Sequence, residues 1–356
     1  MARFTSDADS RKATGLGRSG AGVGQATHGH GGADAGQTAG LGQGGGGAGQ
    51  ATPGHGGAGA GQATRLAHGG NGAERDGDVV LSVRHLEKVY GGRGIGAGRA
   101  GKARGGVMTR ALADVSFDVR AGEFVAIMGA SGSGKSTLLN CVSTIDMPTS
   151  GQVLVANGGA SGGPAGTTAM TDVTRLRGRA LTRFRRDRLG FIFQDSNLLD
   201  TLTARENIAL PLTIAHVPAR RVYERVERIA ARLNIAEVLD KFPYQLSGGQ
   251  RQRVAAARAL VTSPTVVMAD EPTGALDSKN ARLLLEQFEQ LNRDRTATIL
   301  MVTHDGFAAS YTHRVLFIRD GKIFTELRRG DAPRREFFDR IMEVVAMIGG
   351  DGSDAL

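Results

Sequence analysis

From Asp78 onward the chain breaks into short segments whose apolar residues recur at strand or helix spacing. "VVLSVRHLEKVY" (Val79 to Tyr90) and "ALADVSFDV" (Ala111 to Val119) alternate apolar and polar residues, as strands with one wet face do. They bracket a Gly/Arg-rich insert, about 91–107, and predict a small antiparallel layer. "EFVAIMG" (Glu123 to Gly129) is instead an unbroken apolar run, which predicts a strand buried on both faces of a parallel sheet. "QVLVA" predicts a further strand, followed by a second insert, about 157–168, of Gly, Ser, Pro and Ala. Helical spacing then takes over. "LTRFRRDR" runs into the strand "LGFIFQ", and "TARENIALPL" opens with a capping box of Thr203 and Glu206. Pro218 starts a helix that places Val222, Val226, Ile229, Ala230 and Leu233 on one face. Beyond "LSGGQ" come two buried strands, "TVVMAD" and "ATILMVTHD", separated by the helix "KNARLLLEQFEQLN". Strands alternating with helices predict an α/β domain with its ligands at the carboxyl ends of the strands.

Composition changes this picture at the N-terminus. Glycine numbers 54 among 356 residues and is concentrated in 1–77, which has almost no large apolar side chains. Such a segment buries too little surface to offset its ordering entropy, so a disordered tail is expected there. It repeats itself, "THGHGGADAGQ" from Thr27 returning as "TPGHGGAGAGQ" from Thr52. Its His-Gly units at His28, His30 and His55 have no accompanying Cys or carboxylate cluster that would make a metal site. The single cysteine, Cys141, excludes an internal disulfide and reads as a small core residue. No apolar run reaches the roughly 18 to 20 residues of a membrane span, so the chain is expected to be soluble by itself.

The net charge of +9 raises the question of an anionic partner. Arg93, Arg99, Lys102, Arg104 and Arg110 form one basic cluster, and "RLRGRALTRFRRDR" (Arg175 to Arg188) another. Neither interleaves aromatics as a single-strand nucleic-acid platform does, which argues against nucleic acid. They read as solvated faces or as contacts to anionic lipid headgroups.

The candidate chemistry lies at strand ends. "GASGSGKST" comprises Gly129, Ala130, Ser131, Gly132, Ser133, Gly134, Lys135, Ser136 and Thr137, and it satisfies the phosphate-loop pattern between a buried strand and a helix. Its backbone N–H groups suit phosphate oxygens, Lys135 their charge, and the Ser136 hydroxyl Mg²⁺. Asp270 ends a buried strand, where a carboxylate is costly without a cation, and Mg²⁺ supplies one. Glu271 follows it, expected to point the other way, and can polarise an attacking water; a structural salt bridge is the alternative. Gln194 and His304 close two more apolar strands. "LSGGQ" is a second helix start suited to a phosphate, far from the first in sequence.

The phosphate loop, Gln194, "LSGGQ", "ADEPTGALD" and His304, in that order, resemble the nucleotide-binding domain of an ABC ATPase. The resemblance implies a P-loop NTPase core with an antiparallel β subdomain (within a domain spanning 78–330), an α-helical subdomain at about 176–262, and a C-terminal helix and tail at 331–356. It implies ATP and Mg²⁺, with Lys135, Glu271 and His304 catalytic and Ser136, Gln194 and Asp270 around the metal. Tyr90 is similar to the aromatic that stacks on adenine, and Asp277 to the loop coupling two sites. Ser247, Gly248, Gly249 and Gln250 are similar to a cap that closes on the γ-phosphate held by a second copy of the chain.

Outside the motifs, "GFIFQDSNLLDTLTARENIALPL", "THDGFAASYTHRVLFIRDGKIFTEL" and "FFDRIMEVVAMIGG" resemble ATP-binding subunits of bacitracin-type peptide exporters and the related lipoprotein-releasing and macrolide-export ATPases. That resemblance implies a dimer on the cytoplasmic face of the membrane, beneath a separate permease met through Gln194. Cell-division ATPases of the same branch, and soluble ABC proteins acting on ribosomes or DNA, are the alternatives. The one ATPase unit and the lack of sustained heptads weigh against the last.

Overall fold

The computed structural model describes residues 78–91, 108–157, 169–294 and 297–350. The expected tail at 1–77, nearly all of both inserts and the last residues, 351–356, lie outside that set.

The first strands are β1 (Val79–Tyr90), β2 (Thr109–Arg120) and β3 (Phe124–Met128), followed by helix α1 (Lys135–Val142). Next come β4 (Ser150–Ala156), β5 (Met170–Asp172), α2 (Gly178–Arg188) and β6 (Leu189–Ile192). Three helices follow, α3 (Ala204–Ile214), α4 (Ala219–Arg232) and α5 (Gly248–Leu260). The chain continues through β7 (Val266–Asp270), α6 (Ser278–Arg293), β8 (Ile299–Val302) and α7 (Gly306–Ala309). It ends in a hairpin of β9 (Arg314–Arg319) and β10 (Lys322–Arg328) and helix α8 (Arg334–Gly350).

Two sheets form. One is antiparallel in the order β2-β1-β4-β5, the layer expected from the two alternating strands. The other runs β10-β9-β3-β8-β7-β6 and is parallel except for the β9–β10 hairpin. The unbroken apolar strands of the second sheet serve two cores at once. Phe124, Ala126 and Met128 of β3 join one cluster with α3, α4, α5 and α6, while Val125 and Ile127 join the other with α1 and the antiparallel sheet. β7 and β8 divide in the same way, Val267, Ala269, Ile299 and Met301 against Val266, Met268, Leu300 and Val302. Alternation along a strand therefore separates two apolar sides instead of an apolar from a polar one.

The helices follow their caps. Thr203 and Glu206 make the expected capping box on α3, and Val226, Ile229 and Ala230 bury one face of α4. The span 176–262 is not wholly helical, because it contains β6 of the central sheet. Cys141 is buried in the second core at 1% exposure, and burial pushes its thiol up to about 11. Much of the basic stretch before β6 is occupied locally. Arg175 pairs with Asp172, Arg177 donates to the carbonyls of Thr174 and Leu176, Arg185 binds Thr144, and Arg186 pairs with Asp187. These bonds favour the solvated, structural reading of that cluster.

Candidate active site

Four neighbouring strands of the central sheet end side by side, and each is followed by one of the singled-out groups. Ile192 of β6 lies opposite Ala269 of β7, Asp270 opposite Val302 of β8, and Ile127 of β3 also opposite Val302. Asp270 is the last residue of β7, and the turns that follow the four strands carry Gln194, Glu271, His304 and the phosphate loop. Parallel register alone brings residues far apart in sequence to one edge.

The phosphate loop wraps into the start of α1. Gly134 sits at that N-cap with φ 104°, and a Cβ there would stand 2.5 Å from the Ala111 carbonyl oxygen, so only glycine fits the turn. No side chain caps α1 and its first turn holds no acid, so protein groups leave its N–H donors available to an anion. Lys135 is 8% exposed, and its Nζ donates to the carbonyls of Gly129 at 2.9 Å and Ala130 at 2.8 Å. Burial lowers its pKa, while the nearby charges of Glu271 and Asp270 oppose that shift. Ser136, next along the helix, is exposed.

The Asp270 carboxyl is pushed up by burial first and by the charge of Glu271 second, with Lys135 only partly offsetting them. A half-buried carboxylate disfavoured in this way fits a divalent cation. One carboxylate, a hydroxyl and an amide also suit Mg²⁺, which keeps several waters and substrate phosphates in its shell.

Glu271 corrects one expectation. The strand does not continue its alternation through this residue; β7 stops at Asp270, and Glu271 adopts a left-handed backbone with φ 44°. Its N–H donates to the Val302 carbonyl, and its Oε1 lies 3.0 Å from His304 Nδ1. A non-glycine residue held in that conformation stores strain, typically about 1–3 kcal/mol, which the surrounding bonds sustain. The expected alternative of a structural salt bridge and the expected catalytic pair thus share one contact, Glu271 with His304. Gln194 also lies beyond the place expected for it, since β6 ends at Ile192. Its amide nitrogen is 3.1 Å from where a Cβ on Gly274 would stand, which puts it beside the turn that follows Glu271.

Tyr90 ends β1 with its hydroxyl within reach of Thr137 in the first turn of α1. Asp277 caps α6, its Oδ1 accepting the N–H of Asn280 at 2.9 Å.

The second phosphate-suited stretch stands apart. Ser247 Oγ accepts the Gln250 N–H at 3.2 Å while Gln250 Oε1 accepts the Ser247 N–H at 2.9 Å, so both side chains cap their own helix, α5. Among the described residues no hydrogen bond or ion pair joins 247–250 to the phosphate loop of the same chain. Gly249 abuts Asn280 instead.

Three links went unread in the sequence. Gln252 Nε2 donates to the Phe193 carbonyl at 2.7 Å, and Arg258 donates to the carbonyls of Ser196 and Asn197 at 2.9 and 2.8 Å, tying α5 to the Gln194 loop. Asp146 and Lys88 hold Tyr90. Asn280 connects the Asp277 turn to α5.

Comparison with known proteins agrees with this geometry. The family model described as ABC transporter matches residues 112–274. The bacitracin export ATP-binding protein BceA of Halalkalibacterium halodurans is 48% identical over 243 residues, which are 68% of this chain and 91% of that protein. The ABC transporter ATP-binding protein YxdL of Bacillus subtilis is 46% identical over 275 residues, 77% of this chain and 96% of that one. Among solved structures, the dimeric post-hydrolysis cassette MJ0796 bound to ADP and Pi superposes with a TM-score of 0.57 at 34% identity, covering 70% of this chain and 98% of that one. MJ0796 is a protein of Methanocaldococcus jannaschii. A phosphate loop with a buried lysine, a carboxylate pair and a histidine on adjoining strand ends, together with relatives matched over nearly their whole length, place this chain among the ATP-hydrolysing, ATP-binding subunits of the ABC transporter family.

Proposed function

We propose that the chain energises a separate membrane permease as half of an ATP-sandwich dimer, in a system for exporting, or conferring resistance to, antimicrobial peptides. Its place is the cytoplasmic face of the membrane; among the described residues no helix is long and apolar enough to cross it. The observation that carries the reading is the split between two phosphate-suited helix starts. One, at α1, has a lysine and two carboxylates around it, and the other, at α5, has two glycines and no acid in its first turn. Two incomplete halves of this kind become two complete sites when two copies pair head to tail. BceA, by its name, exports bacitracin, and MJ0796 forms a dimer; the export role and the pairing are carried to this chain on that likeness.

In this mechanism Lys135 and the N–H groups at the start of α1 hold the β- and γ-phosphates, and Tyr90 offers its ring to adenine. Ser136, Gln194 and Asp270 would hold Mg²⁺, whose chemistry is to neutralise charge on those phosphates. Glu271 orients the attacking water and accepts its proton, and His304, held 3.0 Å from Glu271, faces the γ-phosphate. Gly248 and Gly249 of the second copy close the site. Asp277, at the start of α6, carries the state of one site to the other. The Gln194 loop and α5 flank a groove of about 270 Å³ that includes Asn197, Leu198 and Arg251, and there the permease receives the movement.

Mixing two inactive variants tests the pairing. Gly249→Asp spoils the α5 side and Lys135→Ala the α1 side. A mixed dimer therefore has one site with both lesions and one with neither. Recovery of ATP hydrolysis on mixing, with the permease present and mixed occupancy confirmed, is the expected result. Gly249→Asp protein that hydrolyses ATP and dimerises normally would overturn the shared-site reading.

A further inference from the structure

The aromatic ring beside the phosphate loop is held from two sides. Tyr90 donates its hydroxyl to Asp146 Oδ2 at 2.9 Å, and Lys88 Nζ lies 4.8 Å from the ring centroid. Lys88 is itself anchored, its Nζ donating to Asp146 Oδ1 and to the Met147 carbonyl, both at 2.7 Å. The Lys88 side chain is 12% exposed, whereas Tyr90 remains 41% exposed. An ammonium over an aromatic ring is attracted to the electron-rich face, more strongly as water is excluded. One part of the ring is thus engaged by a fixed cation while the rest faces solvent.

The anchor is mechanically joined to the phosphate loop. Asp146 follows α1 closely, and its N–H donates to the Asn140 carbonyl of that helix at 3.1 Å. The same helix begins with Lys135 and Ser136. On the strand side, the Val89 N–H donates to Thr149 Oγ1 at 3.0 Å and the Thr149 N–H to the Glu87 carbonyl at 2.8 Å. The end of β1 is therefore stapled to the segment that leaves α1. Burial raises the Tyr90 phenol pKa, as does the hydrogen bond to Asp146. For Asp146, burial works upward but is outweighed by the hydrogen bonds from Lys88 and Tyr90, which hold its carboxyl low. The carboxylate stays charged and the phenol stays protonated, the states this bond requires.

We propose that Lys88 and Asp146 are positioning residues that clamp the Tyr90 ring at a fixed distance from the phosphate loop, so that base stacking and phosphate binding act on one ligand at once. The proposal rests on reading Tyr90 as the adenine platform. A ring free to turn about its side-chain bonds loses part of the stacking gain to its own ordering entropy, and the clamp removes that loss in advance.

The test compares Mg²⁺-ATP with inorganic tripolyphosphate, which has no base, binding to the full-length chain and measured by calorimetry. Asp146→Ala and Lys88→Met are expected to weaken ATP roughly fivefold or more, within the range of losing a stacked base, and to leave tripolyphosphate unchanged. Asp146→Asn keeps an acceptor for the Tyr90 hydroxyl and should recover part of the loss. In a Tyr90→Ala background, Asp146→Ala should cost nothing further. Thermal melts of each variant report folding, and Asp146→Asn supplies the milder variant should Asp146→Ala melt early. If Tyr90→Ala binds ATP normally, the platform reading itself fails and the clamp with it. If Tyr90→Ala weakens ATP but Asp146→Ala does not, or costs as much without the ring as with it, or weakens tripolyphosphate equally, the clamp is wrong and the platform stands.

Discussion

A Cβ built on Gly249 would stand 2.2 Å from Asn280 Oδ1 and 2.4 Å from its Cγ, so the second residue of α5 is pressed against the first turn of α6. Asn280 in turn donates to Asp277 through both its backbone N–H and its side-chain amide, the latter at 2.6 Å. The bare glycine thus has a reason within its own chain, besides any phosphate of a second copy. A carboxylate at 249 carries two lesions, a collision and a charge. Gly249→Ala has only the collision and should lower stability by about 1–3 kcal/mol, the usual range for overpacking. Asn280→Ala removes the two closest atoms but keeps its Cβ 2.9 Å away, and should restore part of that loss. Gly249→Asp combined with Asn280→Ala should fold and yet fail to dimerise with ATP, because the charge remains. Recovery of ATP-induced dimerisation in that double variant would show that the collision was the whole effect.

Glu271→Gln preserves the left-handed turn and the shape that reaches His304, but loses the carboxylate that takes a proton from water. ATP binding should survive and steady-state turnover with the permease should fall at least about 100-fold, within the span of general-base effects. His304→Ala should lower turnover less, since the carboxylate that activates water remains and what is lost is its partner at 3.0 Å and the imidazole proposed to face the γ-phosphate. Normal turnover in Glu271→Gln would remove this residue from the chemistry.

Asp270 makes a prediction about pH. Its folded-state pKa is raised, by burial and then by Glu271, so the native chain binds this proton more readily than the unfolded chain. Stability from this group therefore falls as pH rises from the ordinary carboxylate pKa, about 4, through the raised native value. At neutral pH Asp270 destabilises the nucleotide-free chain, and Asp270→Asn should melt at a higher temperature there. The advantage should vanish as pH drops below the unfolded value. Thermal melts of both proteins without Mg²⁺ or nucleotide, from neutral pH downward, decide it; a lower melting temperature for Asp270→Asn at neutral pH contradicts the burial argument.

What the linear pattern discloses and what it hides divide along physical lines. The phosphate loop and the Asp270–Glu271 pair are contiguous, and a strand buried on both faces needs an unbroken apolar run such as Phe124–Met128. The end of β7 is marked in the sequence by Pro272 directly after Glu271, but the left-handed backbone of Glu271, with its N–H on the Val302 carbonyl, is a property of the fold that no apolar run discloses. The β9–β10 hairpin went unread although its signal was present: Asp320 and Gly321 both take positive φ in a two-residue turn, the Asp-Gly pairing such turns favour. Lys88 and Asp146 are 58 residues apart, and neither belongs to a motif. Nothing short of the folded register of β1 against β4 reveals that they meet under Tyr90.

The Gln194 loop is held by α5, and that hold yields the last prediction. Gln252, 3% exposed, and Arg258 donate to the carbonyls of Phe193, Ser196 and Asn197, on both sides of Gln194. Burial lowers the Arg258 pKa, and its guanidinium donates to both carbonyls, which commits it to this latch. Any rotation of α5 on capping a phosphate must then carry the loop with it. Arg258→Met keeps the stem and should leave carbonyls unpaired at about 1–3 kcal/mol each where they stay buried. ATP binding at Lys135 should be unaffected, since α1 is untouched. The ATPase stimulation provided by the permease should fall more than the basal rate, and amide exchange at 193–198 should quicken. If exchange quickens while stimulation is unchanged, the latch is structural only. If exchange does not change at all, α5 is not what holds the loop.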